Sequence, residues 1–431
     1  MKRAIALLMT TVLSFALLTG CVKNPGETKK DTPTPTTTSG KTDDTTNNTV
    51  DTVYIGMANP LTGANADAGM QDLAAVELAI KHINEKGGIK ALGGAKVEMV
   101  VIDTTSDSTQ VAQIVEREIS KNKLSGIVGT GISGLTLPML PIIEKYGIPA
   151  VTNSINDAIT TSDYTFIFEP VPKGSTFGQT QVAYIQYLIE EKGVEAKKVA
   201  IVYENSSYGQ STAEGSVKIA ESAGLEVVLY EPFTPNFSDA SSLVTAMKES
   251  GAEIIMPVAY SQDAKLIVNT MKSMNYSPYI VGGGAGFLWP QLGTELGEAS
   301  NGLTSVASWN WDSANISNNP ELLAITKEFE ETYGYFMTEH AGPSYCATWI
   351  IKEAIEKAGS ADPEKVRDAI ASTTYDSNET SMMQPGVIKW NDGGWNENVT
   401  AVMIQWQDGY PRTIFPRELS VTEILVPGVD Y

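Results

Sequence analysis

Residues 96–152 alternate apolar, strand-like runs with amphipathic stretches: KVEMVVIDTTSDSTQVAQIVEREISKNKLSGIVGTGISGLTLPMLPIIEKYGIPAVT. Strands followed by helices through short connections require right-handed crossovers, so the segment predicts a mostly parallel sheet with helices packed on it. The predicted elements, in order, are a strand at Lys96–Asp103, a helix capped by Ser106 or Asp107, a strand at Leu124–Gly129, a helix at Ser133–Tyr146 and a strand at Ile148–Thr152.

The same alternation extends in both directions. Upstream, Val53–Met57 predicts a buried strand, and a helix from Ala68 to Lys86 ends at Gly87-Gly88. Downstream, the pattern restarts at Lys198, with strands at 199–203, 225–230, 253–258 and 278–281 and helices near 211–223, 240–250 and 263–274. The last part of the chain predicts helices at 320–333, 344–357 and 363–371, and strands at 386–390 and 399–406.

This arrangement predicts an α/β fold of two doubly wound, three-layer lobes. The C-terminal helices are expected to return to the first lobe and the final strands to the second, giving a hinge of three crossings near residues 174, 307 and 384. The predicted lobes are 51–174 with 308–384, and 175–307 with 385–431.

The N-terminus has the pattern of an export signal. A basic start, Met1-Lys2-Arg3, precedes the apolar run Ala4–Leu18, which is short for a bilayer span but suits a signal peptide. It ends in Leu18-Thr19-Gly20-Cys21, which resembles a bacterial lipobox, so residues 1–20 are predicted to be removed and Cys21 to be lipidated. An ordinary secretory signal with an incidental cysteine is the alternative. Residues 21–50, rich in Thr and Pro, predict a disordered tether.

The composition and the motifs argue against several classes of function. The 431 residues carry 30 Lys and Arg against 51 Asp and Glu, a net charge of −21, which argues against nucleic-acid binding. Two His and two Cys leave few ligands for a metal or a redox cofactor, and none is predicted. Gly131-Ile132-Ser133-Gly134-Leu135 lacks the last glycine of a nucleophile elbow, and His82 and His340 are predicted to be packed or solvated.

Small hydroxyl and amide residues follow the predicted strands of both lobes. Because ligands of open α/β sheets bind outside the carboxyl ends of the strands, these residues predict a binding crevice there. Ser133 begins a helix, where free N–H groups favour an anion such as a carboxylate. Helix caps and turns are the alternative explanation for each segment: 130–133, 153–156, 205–209 and 260–262. The glycine run at 282–286 marks a strand end where a loop or a ligand approaches closely.

From about residue 52 to the C-terminus the chain resembles the branched-chain amino-acid binding proteins of ABC importers, which have the type I periplasmic-binding fold. The motifs that carry the resemblance are Ile55-Gly56 with Pro60-Leu61-Thr62-Gly63, Ala79-Ile80 with Ile83-Asn84 and Gly87-Gly88-Ile89, then Asp103, Gly129 with Ser133, Tyr146-Gly147-Ile148-Pro149, and Tyr208-Gly209.

The resemblance implies a set of ligand-binding residues. Ser133, Ser154 and Asn156 match positions that hold a ligand carboxylate, Tyr208 one that holds an ammonium group from the opposite lobe, and Tyr260 one that lines the pocket.

Two positions depart from the family pattern. The family's ammonium-binding glutamate falls at Gly284, and an aromatic residue found in some members falls at Ala68. Glu204 is a candidate replacement for the missing acid, with a surface role as the alternative.

The leading hypothesis is a monomeric, lipid-anchored, non-enzymatic solute-binding protein outside the cytoplasm. It would capture an amino acid or a similar small carboxylate between closing lobes and deliver it to an ABC permease. A ligand-sensing module that signals to a membrane partner is the second hypothesis, and an exported hydrolase the third.

Overall fold

The computed structural model describes residues 50–426, which fold as an α/β protein with two sheets. The first sheet has five strands in the order β2-β1-β3-β4-β5, and the second has seven in the order β12-β11-β10-β9-β8-β6-β7. The strands are β1 (Thr52–Asn59), β2 (Lys96–Asp103), β3 (Leu124–Gly129), β4 (Ala150–Val151), β5 (Ile167–Phe168), β6 (Lys198–Glu204), β7 (Glu226–Phe233), β8 (Ile254–Val258), β9 (Tyr279–Gly282), β10 (Thr304–Ala307), β11 (Val402–Gln407) and β12 (Tyr410–Phe415).

Helices connect most of the parallel strands. They are α1 (Ala66–Glu85), α2 (Ser108–Lys121), α3 (Ser133–Tyr146), α4 (Gly174–Lys192), α5 (Ser207–Ser222), α6 (Ser241–Glu249), α7 (Ser261–Ser273), α8 (Leu292–Leu296), α9 (Ala314–Ser317), α10 (Pro320–Tyr333), α11 (Ala341–Ala358) and α12 (Pro363–Ala371). Local chemistry sets several ends: the Asp107 side chain caps α2, and Gly147 ends α3 with a φ of 64°.

The first sheet lies between two helical layers. Ile114 of α2 and Met139 of α3 pack with Ile127 on one face, while Ile83 of α1 and Ile351 of α11 cover the other. The five strands pair in parallel, as the alternation in the sequence predicts.

The second sheet is covered in the same way. Tyr184 of α4 packs with Ile201 on one face, and Met247 of α6 and Ile267 of α7 lie on the other with Ala200. Strands β6 to β10 are parallel, and β11 and β12 add an antiparallel edge. The predicted two-lobed, three-layer fold class is therefore confirmed.

Three chain crossings join the lobes. The first leads from β5 to α4, the second follows β10, after which α11 and α12 pack against β3, and the third precedes β11. The first and third run side by side, because the Glu169 N–H donates to Gly394 O at 2.9 Å and the Asn396 N–H to Glu169 O at 3.0 Å.

One predicted strand was wrong. Residues 386–390 form no strand and make only isolated bridges, from Ile388 to Tyr375 and from Trp390 to Asn396. The second strand of the terminal hairpin is instead β12, reached through a turn in which Asp408 and Gly409 have φ values of 52° and 81°. The elements that were not predicted are α4, α8, α9, β5, β10 and β12.

The predicted signal peptide (1–20), Cys21 and the tether up to residue 49 lie outside the described residues, as do residues 427–431. Within residues 50–426, no helix is both long enough and apolar enough to cross a membrane.

Candidate functional site

Two adjoining cavities lie between the lobes, at the carboxyl ends of the strands. Their empty volumes, which include space open to solvent, are about 460 and 350 Å³. They share Tyr260, Ala285, Glu339 and His340. The remaining lining of the smaller cavity is Gly131, Ser133, Asn153, Ile155, Phe177, Tyr208 and Ser308. The structure therefore brings three of the six predicted site residues, Ser133, Tyr208 and Tyr260, to one cavity.

The wall from the first lobe is built around the N-terminus of α3. Ser133, the first residue of that helix, is only 2% exposed and lines the cavity. Its backbone N–H faces the phenol oxygen of Tyr260 on the other lobe, while burial raises the pKa of Tyr260 well above its ordinary value. The two lobes thus meet directly at Ser133.

Ser154 and Asn156 do not line either of these cavities, although their neighbours Asn153 and Ile155 do. The Ser154 hydroxyl donates to Thr130 O at 2.8 Å, behind the cavity wall. The Asn156 amide donates to Ser207 O on α5 at 2.5 Å, so this side chain joins the lobes. Direct contact of Ser154 or Asn156 with a ligand stays a prediction.

The wall from the second lobe is aromatic. The rings of Tyr208 and Tyr260 lie 4.8 Å apart between centroids, and the Tyr208 hydroxyl donates to Gly283 O. Gly284 lies just behind them with a φ of 103°, and a Cβ there would come within 2.9 Å of Phe177 Cε2. No side chain fits at residue 284 in this backbone, so the glycine belongs to the shape of the wall.

Glu339 is a carboxylate that the sequence analysis missed, and it lines both cavities from the hinge. Its Oε2 accepts from the Ser308 N–H at 3.0 Å, and burial raises its pKa to about 7. Glu204, the predicted candidate, lies outside the lining of both cavities but lines a third one between the lobes, which also includes Tyr260. Its oxygens accept from Ser206 Oγ at 2.5 Å and Tyr260 N at 2.8 Å. Glu339 precedes α11 in a loop without periodicity, so no pattern in the sequence marked it.

His340 also lines both cavities rather than packing away from them. Burial lowers its pKa to about 4, so the imidazole is neutral near pH 7. Neither cavity has a Lys or Arg among its described lining residues, whereas Asp67 and Glu339 contribute carboxylates. The cleft is therefore suited to a ligand that brings hydrogen-bond donors or positive charge to this side.

Comparison with known proteins gives concordant matches. A family model described as periplasmic binding protein matches residues 52–410. The chain is similar to the Leu/Ile/Val-binding protein homolog 7 of Brucella suis, with 28% identity over 381 residues, covering 87% of this chain and 94% of that protein.

Solved structures share the fold. The branched-chain amino acid transporter substrate binding protein LivJ from Streptococcus pneumoniae, in complex with isoleucine, superposes with a TM-score of 0.73 at 22% identity, covering 84% of this chain and 99% of that one. An ABC transporter solute binding protein from R. palustris, in complex with benzoate, superposes with a TM-score of 0.72 at 19% identity, covering 86% and 98%.

Proposed function

Since the chain belongs to the family of periplasmic binding proteins, we propose that it is the solute-binding component of an ABC importer. In this proposal it captures an amino acid or a similar small carboxylate between its lobes and delivers it to a permease. The observation that carries the proposal is the meeting of Ser133 from one lobe with Tyr208 and Tyr260 from the other on one small cavity.

The carboxylate of the solute would bind at the N-terminus of α3. Helix N-termini carry unpaired N–H groups and the positive end of the helix dipole, which stabilise a bound anion. Ser133 adds a hydroxyl donor at the same place, and the aromatic wall of Tyr208 and Tyr260 supplies apolar contact for the rest of the solute.

Binding would be coupled to closure of the lobes. Asn156 and Asp157 of the first lobe contact Ser207 and Ser211 of α5, and the Asp157 carboxylate accepts from Ser211 Oγ at 2.9 Å. We expect these contacts to break when the lobes separate, so a solute that touches both walls would shift the population toward the closed form. The permease would then recognise the closed form.

The proposed location is outside the cytoplasm. The N-terminal sequence supports export and a lipid anchor through Cys21, with residues 21–50 as the tether. The protein is proposed to act as a monomer, without a cofactor and without a catalytic step.

A thermal-shift screen of the full-length protein in detergent tests this function. A solute at 100 times its dissociation constant stabilises the folded state by about 2.7 kcal/mol. We expect a shift with amino acids or small carboxylates and a weaker one in Ser133→Ala. A solute that shifts wild type, Ser133→Ala and Tyr208→Ala equally would show that the site lies elsewhere.

A further inference from the structure

Gly131 lies at the wall of the cleft, where its neighbours leave no room for a side chain. A Cβ at this position would lie 2.7 Å from Asp72 Oδ2, 3.0 Å from Asn153 Oδ1 and 3.0 Å from His340 Nδ1. Three polar atoms from three separate segments of the chain therefore converge beside a residue that lines the cavity. Gly131 is not at a positive φ, so the absence of a side chain here is a matter of space rather than of backbone conformation.

Two of these atoms are buried without a hydrogen-bond partner in the described structure. Asp72 is fully buried, and only its Oδ1 is satisfied, by Asn153 Nδ2 at 2.9 Å and Ser344 Oγ at 2.7 Å. Asp72 Oδ2 and Asn153 Oδ1 have no partner. Buried polar atoms are almost always paired, so two unpaired oxygens beside the same residue of the cavity wall indicate a group that is supplied from outside.

The chemistry of the three atoms selects that group. With Asp72 ionised, both oxygens are acceptors, because the Asn153 amide nitrogen already donates to Asp72 Oδ1 and to His340 O. The neutral imidazole of His340 accepts at Nδ1 when its proton is on Nε2, and its Nδ1 lies 3.9 Å from Asp72 Oδ2, too far for a hydrogen bond between them. A donor-only group with several N–H bonds is complementary to three acceptors, and a carboxylate is not.

We propose that Asp72, Asn153 and His340 form the binding site for a cationic amine of the solute, beside Gly131. The inference rests on the proposed function and deepens it: the solute is a zwitterion, with its carboxylate at Ser133 and its ammonium group at Asp72. Glu339 adds a second carboxylate to the same cleft. The amine is thus held by the first lobe and the hinge, on the side of the cleft away from Gly284.

Matched ligand pairs test the inference by calorimetry on the full-length protein in detergent. The probes are L-leucine with 4-methylpentanoate, L-phenylalanine with 3-phenylpropanoate, and benzoate. We expect at least one amino acid to bind, and its deaminated partner to bind tenfold or more weakly, because a buried charged hydrogen bond is lost. Equal affinity within the pairs, or binding of the acids alone, would overturn the inference.

Variants test which residues cause the preference for an amino acid over its deaminated partner. Asp72→Asn and Gly131→Ala should each reduce the preference for the amino acid at least tenfold, the second because its methyl group would displace Asp72 Oδ2. Asp263→Asn is the matched control, since Asp263 is 3% exposed on α7 of the other lobe and lines neither of the two cavities, only a third one. An Asp72→Asn protein that keeps its melting temperature and the full preference would refute the assignment. If Asp72→Asn does not fold, Gly131→Ala and the wild-type pairs decide.

The failure of the inference and the failure of the proposed function give different results. If the acids bind as tightly as their amino-acid partners and Ser133→Ala loses this binding, the proposed solute-binding function stands and the amine site is refuted. Binding of none of the probes overturns both.

Discussion

Replacing Glu339 by Gln should change how the stability of the protein depends on pH. Burial raises the pKa of the Glu339 carboxyl from 4.5 to about 7. Between these two values the folded protein holds a proton that the unfolded chain releases, so the group stabilises the fold below pH 4.5 and this stabilisation is lost as pH rises through 7. Glutamine keeps the size of the side chain but does not titrate.

The magnitude follows from the shift. One unit of pKa difference corresponds to about 1.4 kcal/mol, so the contribution of Glu339 should fall by at most about 2 kcal/mol between pH 5.5 and 7.5. Asp72 and Glu204, with pKa values raised to about 7 by burial, act in the same direction. His340, with its pKa lowered to about 4, opposes them below pH 6.5. Wild type and variant share these three residues, so their contributions cancel in the difference between the two free energies of unfolding.

Urea unfolding of wild type and Glu339→Gln at pH 5.5, 6.5 and 7.5, without solute, measures this difference. The variant should gain stability relative to wild type as pH rises. Asp263→Asn serves as a second comparison, because burial raises the pKa of Asp263 but it lies outside both cavities. A constant difference between wild type and Glu339→Gln over this range would refute the reasoning, since it would mean that Glu339 is ionised throughout.

Three further predictions concern the walls of the cleft and the second lobe. Gly284→Glu, which restores an acid at the family position, should lower stability by about 1–3 kcal/mol because of the positive φ and the contact with Phe177; an unchanged melting temperature would contradict this. Gly215→Ala should be destabilising by a similar amount, about 1–3 kcal/mol, because its Cβ would lie 2.4 Å from Ser175 Cα where α5 packs on α4, and a melt at wild-type temperature would show that the helices can separate freely. Asn156→Ala removes a hydrogen bond between the lobes that we expect to break on opening, so solute affinity should fall by about 1 kcal/mol with little change in the unfolding of the solute-free protein; equal affinity would exclude a role in closure.

Much of the fold could be predicted because the buried residues of a helix or strand recur at the period of that element. Strands β1, β2, β3, β6 and β8 and helices α10 and α12 lie where the apolar spacing predicted them. The strand predicted at 386–390 was wrong for a physical reason. Ile388 is buried because an irregular segment packs against Tyr375, and this gives the same apolar pattern as a strand.

Part of the candidate site could also be predicted from the sequence, and part could not. Ser133, Tyr208 and Tyr260 could be found because they follow strands, and the carboxyl ends of parallel strands share one edge. Ser154 and Asn156 follow a strand as well, but the alternation of side chains places their neighbours Asn153 and Ile155 on the cavity. The residue types after a strand do not tell which of two neighbouring side chains faces the cavity.

The sequence by itself determined that this protein has two wound lobes with polar strand ends, because secondary structure and burial are recorded in local periodicity. Only the tertiary structure decided which polar groups meet at the wall of the cleft. Asp72 lies on α1, Asn153 after β4, and Glu339 and His340 before α11, so long stretches of chain separate them. Their meeting depends on the return of the chain across the hinge, and long-range packing of this kind leaves no pattern between neighbouring residues.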